Sequence, residues 1–225
     1  AHNTALSIVD CVTSLGACNV PVDEWKLDIV ASGSQKGYMI PPGLSFISMS
    51  KKAWEAVEKS NLPKFYLNLK SYRKSLLSNS NPYTPAVNLV FALDEALKMM
   101  REEGLDNIFL RHNKHKLAMS NAVKALNLKL FADEKYLSPS ITAIKTEEID
   151  AEEFRKTIKN NFDILLAGGQ DHLKGKIFRV GHLGYVNDRD IISVVSAISN
   201  TLLSLGKISA QQAGEALIVA SKYLK

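Results

Sequence analysis

The spacing of hydrophobic and polar positions changes period several times along this chain. Residues 5–10 and 27–32 are short, nearly continuous apolar runs. That pattern predicts strands in a sheet buried on both faces. Gly16, Pro21 and Asp23 mark loops between them. Pro41-Pro42-Gly43 is a hard turn, because proline fixes φ and glycine permits unusual φ. Residues 44–49 alternate as a strand does, and Ser50 is a good cap for a helix over 51–59. Residues 60–83 hold Pro63, Pro82 and the run Ser78-Asn79-Ser80-Asn81, which predicts a loop. Thr84-Pro85 opens a helix that keeps its apolar spacing through Val87, Val90, Phe91 and Leu97, with the proline at its first position. After Gly104 a second helix carries Ile108, Phe109, Val123 and Leu126.

The remainder alternates between strands and helices. Residues 140–145, 164–167 and 177–181 read as strands. Asp150 with Glu153 starts a helix that ends near Asn161, in the manner of a capping box. Asn187 or Asp188 caps a helix over 191–205, and Ser209 caps a last one to about Leu224. A few strands with helices on one face predict a small α+β domain. The domain change falls near Gly104, giving domains of residues 1–103 and 104–225.

Composition narrows the function classes. With 225 residues, 46% hydrophobic and 23% charged, the chain can bury a sizeable core. No apolar run approaches the roughly 18 residues of a membrane span, and no signal-peptide pattern is present. The net charge of +5 comes with scattered lysines rather than one basic face, which argues against nucleic-acid binding. Cys11 and Cys18 are too few for a disulfide framework and wrongly spaced for zinc, so a reducing cytoplasm is the expected location. His112 and His115, three apart among lysines, read as exposed surface rather than a metal site. Gly168-Gly169 lacks the strand, glycine loop and helix of a phosphate fingerprint. Apolar strand pattern begins almost at once, at Ala5, so the start reads as the middle of a larger fold.

The chemistry concentrates at two strand ends. The run Leu27-Asp28-Ile29-Val30-Ala31 leads into Ser32-Gly33-Ser34-Gln35-Lys36-Gly37, and Leu6-Ser7-Ile8-Val9 ends at Asp10. A lysine on a loop after one strand and an aspartate at the tip of another suggest pyridoxal phosphate. The amine would form a Schiff base, and the carboxylate would keep the pyridine nitrogen protonated. Arg179, between Phe178 and Val180, is costly to bury without a partner and matches a carboxylate bidentately. It is the candidate substrate-binding residue.

Taken in order, these segments resemble the class V aminotransferase family. The segments are Val9-Asp10-Cys11-Val12-Thr13-Ser14-Leu15-Gly16, Asp28, the Lys36 loop, Pro41-Pro42-Gly43, Thr84-Pro85-Ala86-Val87 and Phe178-Arg179-Val180-Gly181-His182-Leu183-Gly184. The resemblance is to its alanine–glyoxylate and serine–glyoxylate branch, and it covers essentially the whole chain. It implies fold type I of the pyridoxal-phosphate enzymes, an α/β architecture. Residues 1–103 would be the latter part of the large mixed-sheet domain, and 104–225 the small C-terminal domain.

The resemblance also implies roles. Lys36 would hold the cofactor and then serve as the proton-transfer base; Asp10 would pair with the ring nitrogen. Val12 would pack on one ring face. Gln35 and Thr84 would bind the cofactor phosphate, Thr84 that of a neighbouring subunit, so a homodimer is expected. Some relatives carry a tyrosine three positions before this threonine; here Asn81 stands there, and Tyr83 is out of register. In the family the first half supplies a glycine-rich phosphate loop, a stacked aromatic ring and a hydroxyl, none of which occurs here. The expectation is therefore that an N-terminal half, on the same or a separate chain, completes the site.

The implied reaction is transamination of a small amino acid, alanine or serine, with a 2-oxo acid such as glyoxylate or pyruvate. A lyase of the cysteine desulfurase type is a rival, but those enzymes carry a catalytic cysteine on a late loop and both cysteines here are early. A non-catalytic or truncated subunit is the other alternative. Some cyanobacterial relatives bear the name soluble hydrogenase small subunit, although hydrogen chemistry needs thiolate-bound metal clusters.

Overall fold

The structure, a computed structural model, describes residues 5–225; residues 1–4, at the head of the first predicted domain, lie outside it. The chain divides into two compact units. One comprises residues up to Leu15 with Asn19–Glu103, the other Gly16–Cys18 with Gly104–Lys225.

The first unit is built on a three-stranded sheet. Strand β1 (Ile8–Asp10) runs parallel to β2 (Ile29–Gly33), which pairs antiparallel with β3 (Ser45–Met49). Asp28 ties these elements together from a buried position. It accepts hydrogen bonds from the Ser7 N–H at 3.0 Å and the Ser50 hydroxyl at 2.8 Å, and it pairs with Lys52 at 3.3 Å. The Ser7 N–H first, then the Ser50 hydroxyl, hold its carboxyl below the usual carboxylate range. Ser50 in turn caps helix α1 (Lys51–Lys59) through the Ala53 N–H, so the cap and boundaries predicted from sequence hold.

Two expectations for this unit fail. Burial on both faces holds for β2, where Val30, Ser32 and Gly33 are buried, but not for β1, an edge strand with Ile8 71% exposed. The region 60–83 is not all loop either. Helix α2 (Leu69–Leu77) forms there, capped by Asn68 and with no buried residue. Its flanking serine, asparagine and proline signals outweighed the spacing of Leu69, Tyr72 and Leu76. Helix α3 (Val87–Glu103) starts two residues past Pro85. The Ala86 carbonyl accepts from the Val90 N–H, so proline does not take the first helical position.

The second unit begins after Gly104 with α4 (Leu105–Ala125). It continues through β4 (Lys129–Leu130), β5 (Ile141–Lys145), α5 (Ala151–Phe162), β6 (Ala167–Gly168), β7 (Ile177–Gly181), α6 (Asp188–Ser204) and α7 (Ala210–Tyr223). The sheet order is β4-β5-β7-β6, antiparallel throughout. Its core joins Met119 and Val123 of α4, Ile144 of β5, Phe154 and Ile158 of α5, Phe178 of β7 and Ile198 of α6. Phe154 and Phe178 pack at 5.1 Å between ring centroids. Asp150 caps α5 as expected, and complete capping boxes at Asn187 and Ser209 open α6 and α7. The strand expected at 164–167 sits later, at Ala167–Gly168, and β4 carried too short a pattern to be seen.

The sequence reading of two histidines is overturned. His112 and His115 are fully buried in α4, as is His182 after β7. Neighbouring lysines suggested a wet helix face, but His112 lies against Gly184 of the chain after β7 and His115 against Asp188 at the start of α6. No helix among the described residues is long and apolar enough to cross a membrane. Cys11 is buried and Cys18 half-buried.

Candidate active site

Asp10 and Lys36 leave the sheet at the same edge. β1 and β2 are parallel, and Asp10 lies opposite Ala31 in register. Asp10 therefore ends one strand, and the Lys36 turn follows the end of its neighbour. The carboxyl ends of parallel strands are where open α/β sheets bind ligands. Asp10 is exposed; its Oδ1 accepts the Val12 N–H at 2.8 Å, which leaves Oδ2 for another partner. Val12 is half-buried.

The Lys36 turn is closed from within by Ser34, whose side chain is wholly buried. The Ser34 N–H donates to the Leu44 carbonyl at 3.0 Å, and the Leu44 N–H returns to Ser34 Oγ at 3.1 Å. The hydroxyl donates to the Pro41 carbonyl at 2.8 Å. The Lys36 carbonyl accepts the Met39 N–H, and Met39 adopts a left-handed φ of 63°. The turn is thus pinned by backbone and serine, while the half-buried Lys36 side chain makes no hydrogen bond or ion pair among the described residues. Gln35 is exposed beside it. An amine, a carboxylate and a carboxamide at one sheet edge fit pyridoxal phosphate: a nucleophile for its aldehyde, an anion for its ring nitrogen and a donor for its phosphate.

Thr84 is exposed ahead of α3. Tyr83 beside it donates its hydroxyl to the Phe65 carbonyl at 2.8 Å and packs with Phe65, Tyr66 and Tyr72. Asn81 is exposed.

In the second unit Arg179 sits half-buried on β7 and donates its Nε to the Gly168 carbonyl at 2.9 Å. No carboxylate among the described residues pairs with it, so its terminal nitrogens are not spent on an internal salt bridge. The chain beyond β7 is held to α4. The Gly184 N–H donates to His112 Nε2 at 3.1 Å, and His112 Nδ1 donates to the Ile108 carbonyl at 2.7 Å, which fixes a neutral tautomer. Arg111 donates to the Gly184 and Val186 carbonyls. His182 Nδ1 donates to the Pro139 carbonyl, and its Nε2 accepts from the Thr142 hydroxyl. Burial pushes its pKa down to about 4.

A cavity of about 880 Å³ in this unit is lined by Arg111, Lys114, Asp188, Arg189 and neighbours, and by none of the predicted site residues. Lys114 is already engaged there by Asp188 and the Leu224 carbonyl. No group of three or more His, Cys, Asp or Glu side chains among the described residues is placed to hold a metal ion.

Comparison with known proteins decides the family. The family described as aminotransferase class-V matches residues 1–189. The chain belongs to the class-V aminotransferases. Its fold is that of the fold type I pyridoxal-phosphate enzymes, of which this chain is a C-terminal portion. It is 59% identical over 206 residues to the soluble hydrogenase small subunit of Synechococcus sp. (strain PCC 6716), covering 92% of this chain and 54% of that protein. It is 34% identical over 233 residues to the serine–glyoxylate aminotransferase of Methylorubrum extorquens, covering 100% of this chain and 57% of the relative. The crystal structure of ureidoglycine–glyoxylate aminotransferase from Bacillus subtilis matches with a TM-score of 0.88 at 31% identity, over 97% of this chain and 58% of that one. The chain therefore spans about half the length of the relatives it matches.

Within this class-V portion, sequence reasoning singled out the residues that face solvent or a turn. It missed the residues that hold them: Ser34 under Lys36, Gly168 beside Arg179, and His112 against Gly184. Ser34 and Gly168 stood in motifs already noticed, but their partners lie 7 to 11 residues away, across a turn or on a neighbouring strand.

Proposed function

We infer that this chain carries the lysine-bearing half of a pyridoxal-phosphate-dependent aminotransferase. The reaction is transamination between a small amino acid, alanine or serine, and a 2-oxo acid such as glyoxylate or pyruvate. The observation that carries this reading is the pairing of Asp10 and the Lys36 turn at the carboxyl ends of two parallel strands, in a chain of this family. The glyoxylate transaminases among its relatives supply the substrate class.

When bound, pyridoxal phosphate supplies an aldehyde carbon and an electron-accepting pyridinium ring. Lys36 would hold the cofactor through its Nζ, and its free amine would take the proton from the substrate α-carbon. This requires a neutral amine. Asp10 would pair through its open oxygen with the ring nitrogen and favour the protonated ring. Val12 would pack against the ring, and Gln35 would bind the phosphate. Thr84 would reach the phosphate of a second subunit, so the working enzyme would be a homodimer. Arg179 receives the substrate carboxylate on its terminal nitrogens. Residues 1–103 form part of the cofactor-binding domain, and 104–225 the small domain.

The test is visible absorbance of the native protein, borohydride reduction and peptide mapping. Cofactor trapped on Lys36 supports the reading, and no label on Lys36 rejects it. Turnover of serine or alanine with glyoxylate or pyruvate then identifies the pair. A cofactor-free protein without turnover would favour the non-catalytic subunit that the Synechococcus relative's name suggests.

A further inference from the structure

Gly168-Gly169 lacked a phosphate fingerprint in the sequence, yet the structure puts Gly168 directly on Arg179. Arg179 Nε donates to the Gly168 carbonyl, so the direction of the guanidinium depends on where that carbonyl stands. β6 is only two residues long and pairs with β7 on one side. Such a strand has little of its own to fix it. Helix α5 supplies the rest. Arg155 donates its Nε to the Leu166 carbonyl at 2.7 Å and its Nη1 to Glu152 Oε2 at 2.8 Å. The two side chains lie against the Cα of Gly168. A Cβ there would come within 2.5 Å of Arg155 Nη1 and 2.6 Å of Glu152 Oε1. Gly169 closes the other side, since a Cβ on it would stand 2.1 Å from the Leu173 carbonyl oxygen.

We propose that Glu152 and Arg155 form a bracket that seats Gly168 and so aims the terminal nitrogens of Arg179. Both are positioning residues for recognition of the substrate carboxylate. Arg155 and Glu152 are held to each other by an ion pair at 2.8 Å, which keeps the two sides of the bracket together. The glycine at 168 is required by close approach, because any side chain would push either the bracket or the carbonyl away. The inference rests on the reading of Arg179 as the substrate clamp.

The experiment uses the native enzyme with Arg155→Met, which keeps the aliphatic length and loses both hydrogen bonds. Gly168→Ala is the second variant, should the first fold poorly. Each should raise KM for the amino donor by about tenfold, the worth of one well-placed hydrogen bond. Each should weaken binding of acetate, an inert carboxylate measured by calorimetry, by the same factor. Cofactor content should stay at the parent's level and kcat should change much less than KM. Glu152→Gln, which keeps an acceptor for Arg155, should raise KM less than Glu152→Leu. Arg179→Gln serves as the reference. If it raises KM while Arg155→Met and Gly168→Ala do not, the bracket is refuted and the clamp stands. If Arg179→Gln leaves KM and acetate binding unchanged, the clamp fails and the bracket with it. A parallel fall of kcat and cofactor content in the bracket variants, without a KM shift, marks a merely structural pair and overturns the proposal.

Discussion

Ser34 and Leu44 exchange hydrogen bonds across the base of the lysine turn. The Ser34 N–H meets the Leu44 carbonyl, and the Leu44 N–H meets Ser34 Oγ at 3.1 Å. The turn that presents Lys36 is thereby fixed two residues before the lysine, in a wholly buried position. Ser34→Ala removes the acceptor of the Leu44 N–H and the donor of the Pro41 carbonyl. Leaving buried polar groups unpaired costs about 1–3 kcal/mol. Urea unfolding of Ser34→Ala should show a lower midpoint with the slope unchanged, and cofactor uptake at Lys36 should slow. A midpoint equal to the parent's would show that the turn holds without the serine.

Asp10 has one oxygen occupied by the Val12 N–H and the other open. Asp10→Asn keeps that local bond and removes the negative charge. Under the proposed mechanism the protein still takes up cofactor at Lys36, but kcat falls by on the order of 100-fold or more, as when a preorganised electrostatic partner is lost. Spectra and steady-state rates on the same preparation separate the two effects. Equal loss of cofactor and rate would instead mean that Asp10 serves binding alone.

His182 makes acid stability readable. Its folded pKa is about 4, against an ordinary 6.5, because burial disfavours the charged ring and His115 and His112 add to that. The unfolded chain therefore takes up the proton first. Stability is full above about 6.5 and is lost as pH falls toward about 4, by up to roughly 3 kcal/mol from this group. Burial lowers the pKa of His115 as well, so it adds with the same sign. His182→Asn keeps a donor for the Pro139 carbonyl and should flatten the slope of stability against pH between 6.5 and 4. An unaltered slope would assign the acid sensitivity to other groups.

Much of this was legible in the chain because the signals are local. Ser50 before 51–59, Asp150 before 151–162 and the apolar run at 177–181 each state their element within one or two turns of chain. Lys36, Asp10 and Arg179 could be picked out because their side chains are unusual for where they stand. Helix α2 was hidden because the serine, asparagine and proline signals that flank it outweighed the short stripe of Leu69, Tyr72 and Leu76, none of which it buries. The histidines of α4 were misread for the opposite reason. Lysines beside them suggested water, whereas the chain at Gly184 and the start of α6 at Asp188 meet them and both are buried.

The sequence by itself determined the order of elements, their caps, and the residue types capable of this family's chemistry, since those depend on neighbours along the chain. The tertiary structure alone decided what holds them. It set Asp10 beside the strand that leads to Lys36, returned Leu44 to Ser34, brought Gly168 under Arg179 and buried His112 against Gly184. The physical reason is separation in sequence. Each of these contacts joins segments whose spacing carries no local period, and only pairing of strands and packing of helices brings their donors and acceptors within hydrogen-bond reach.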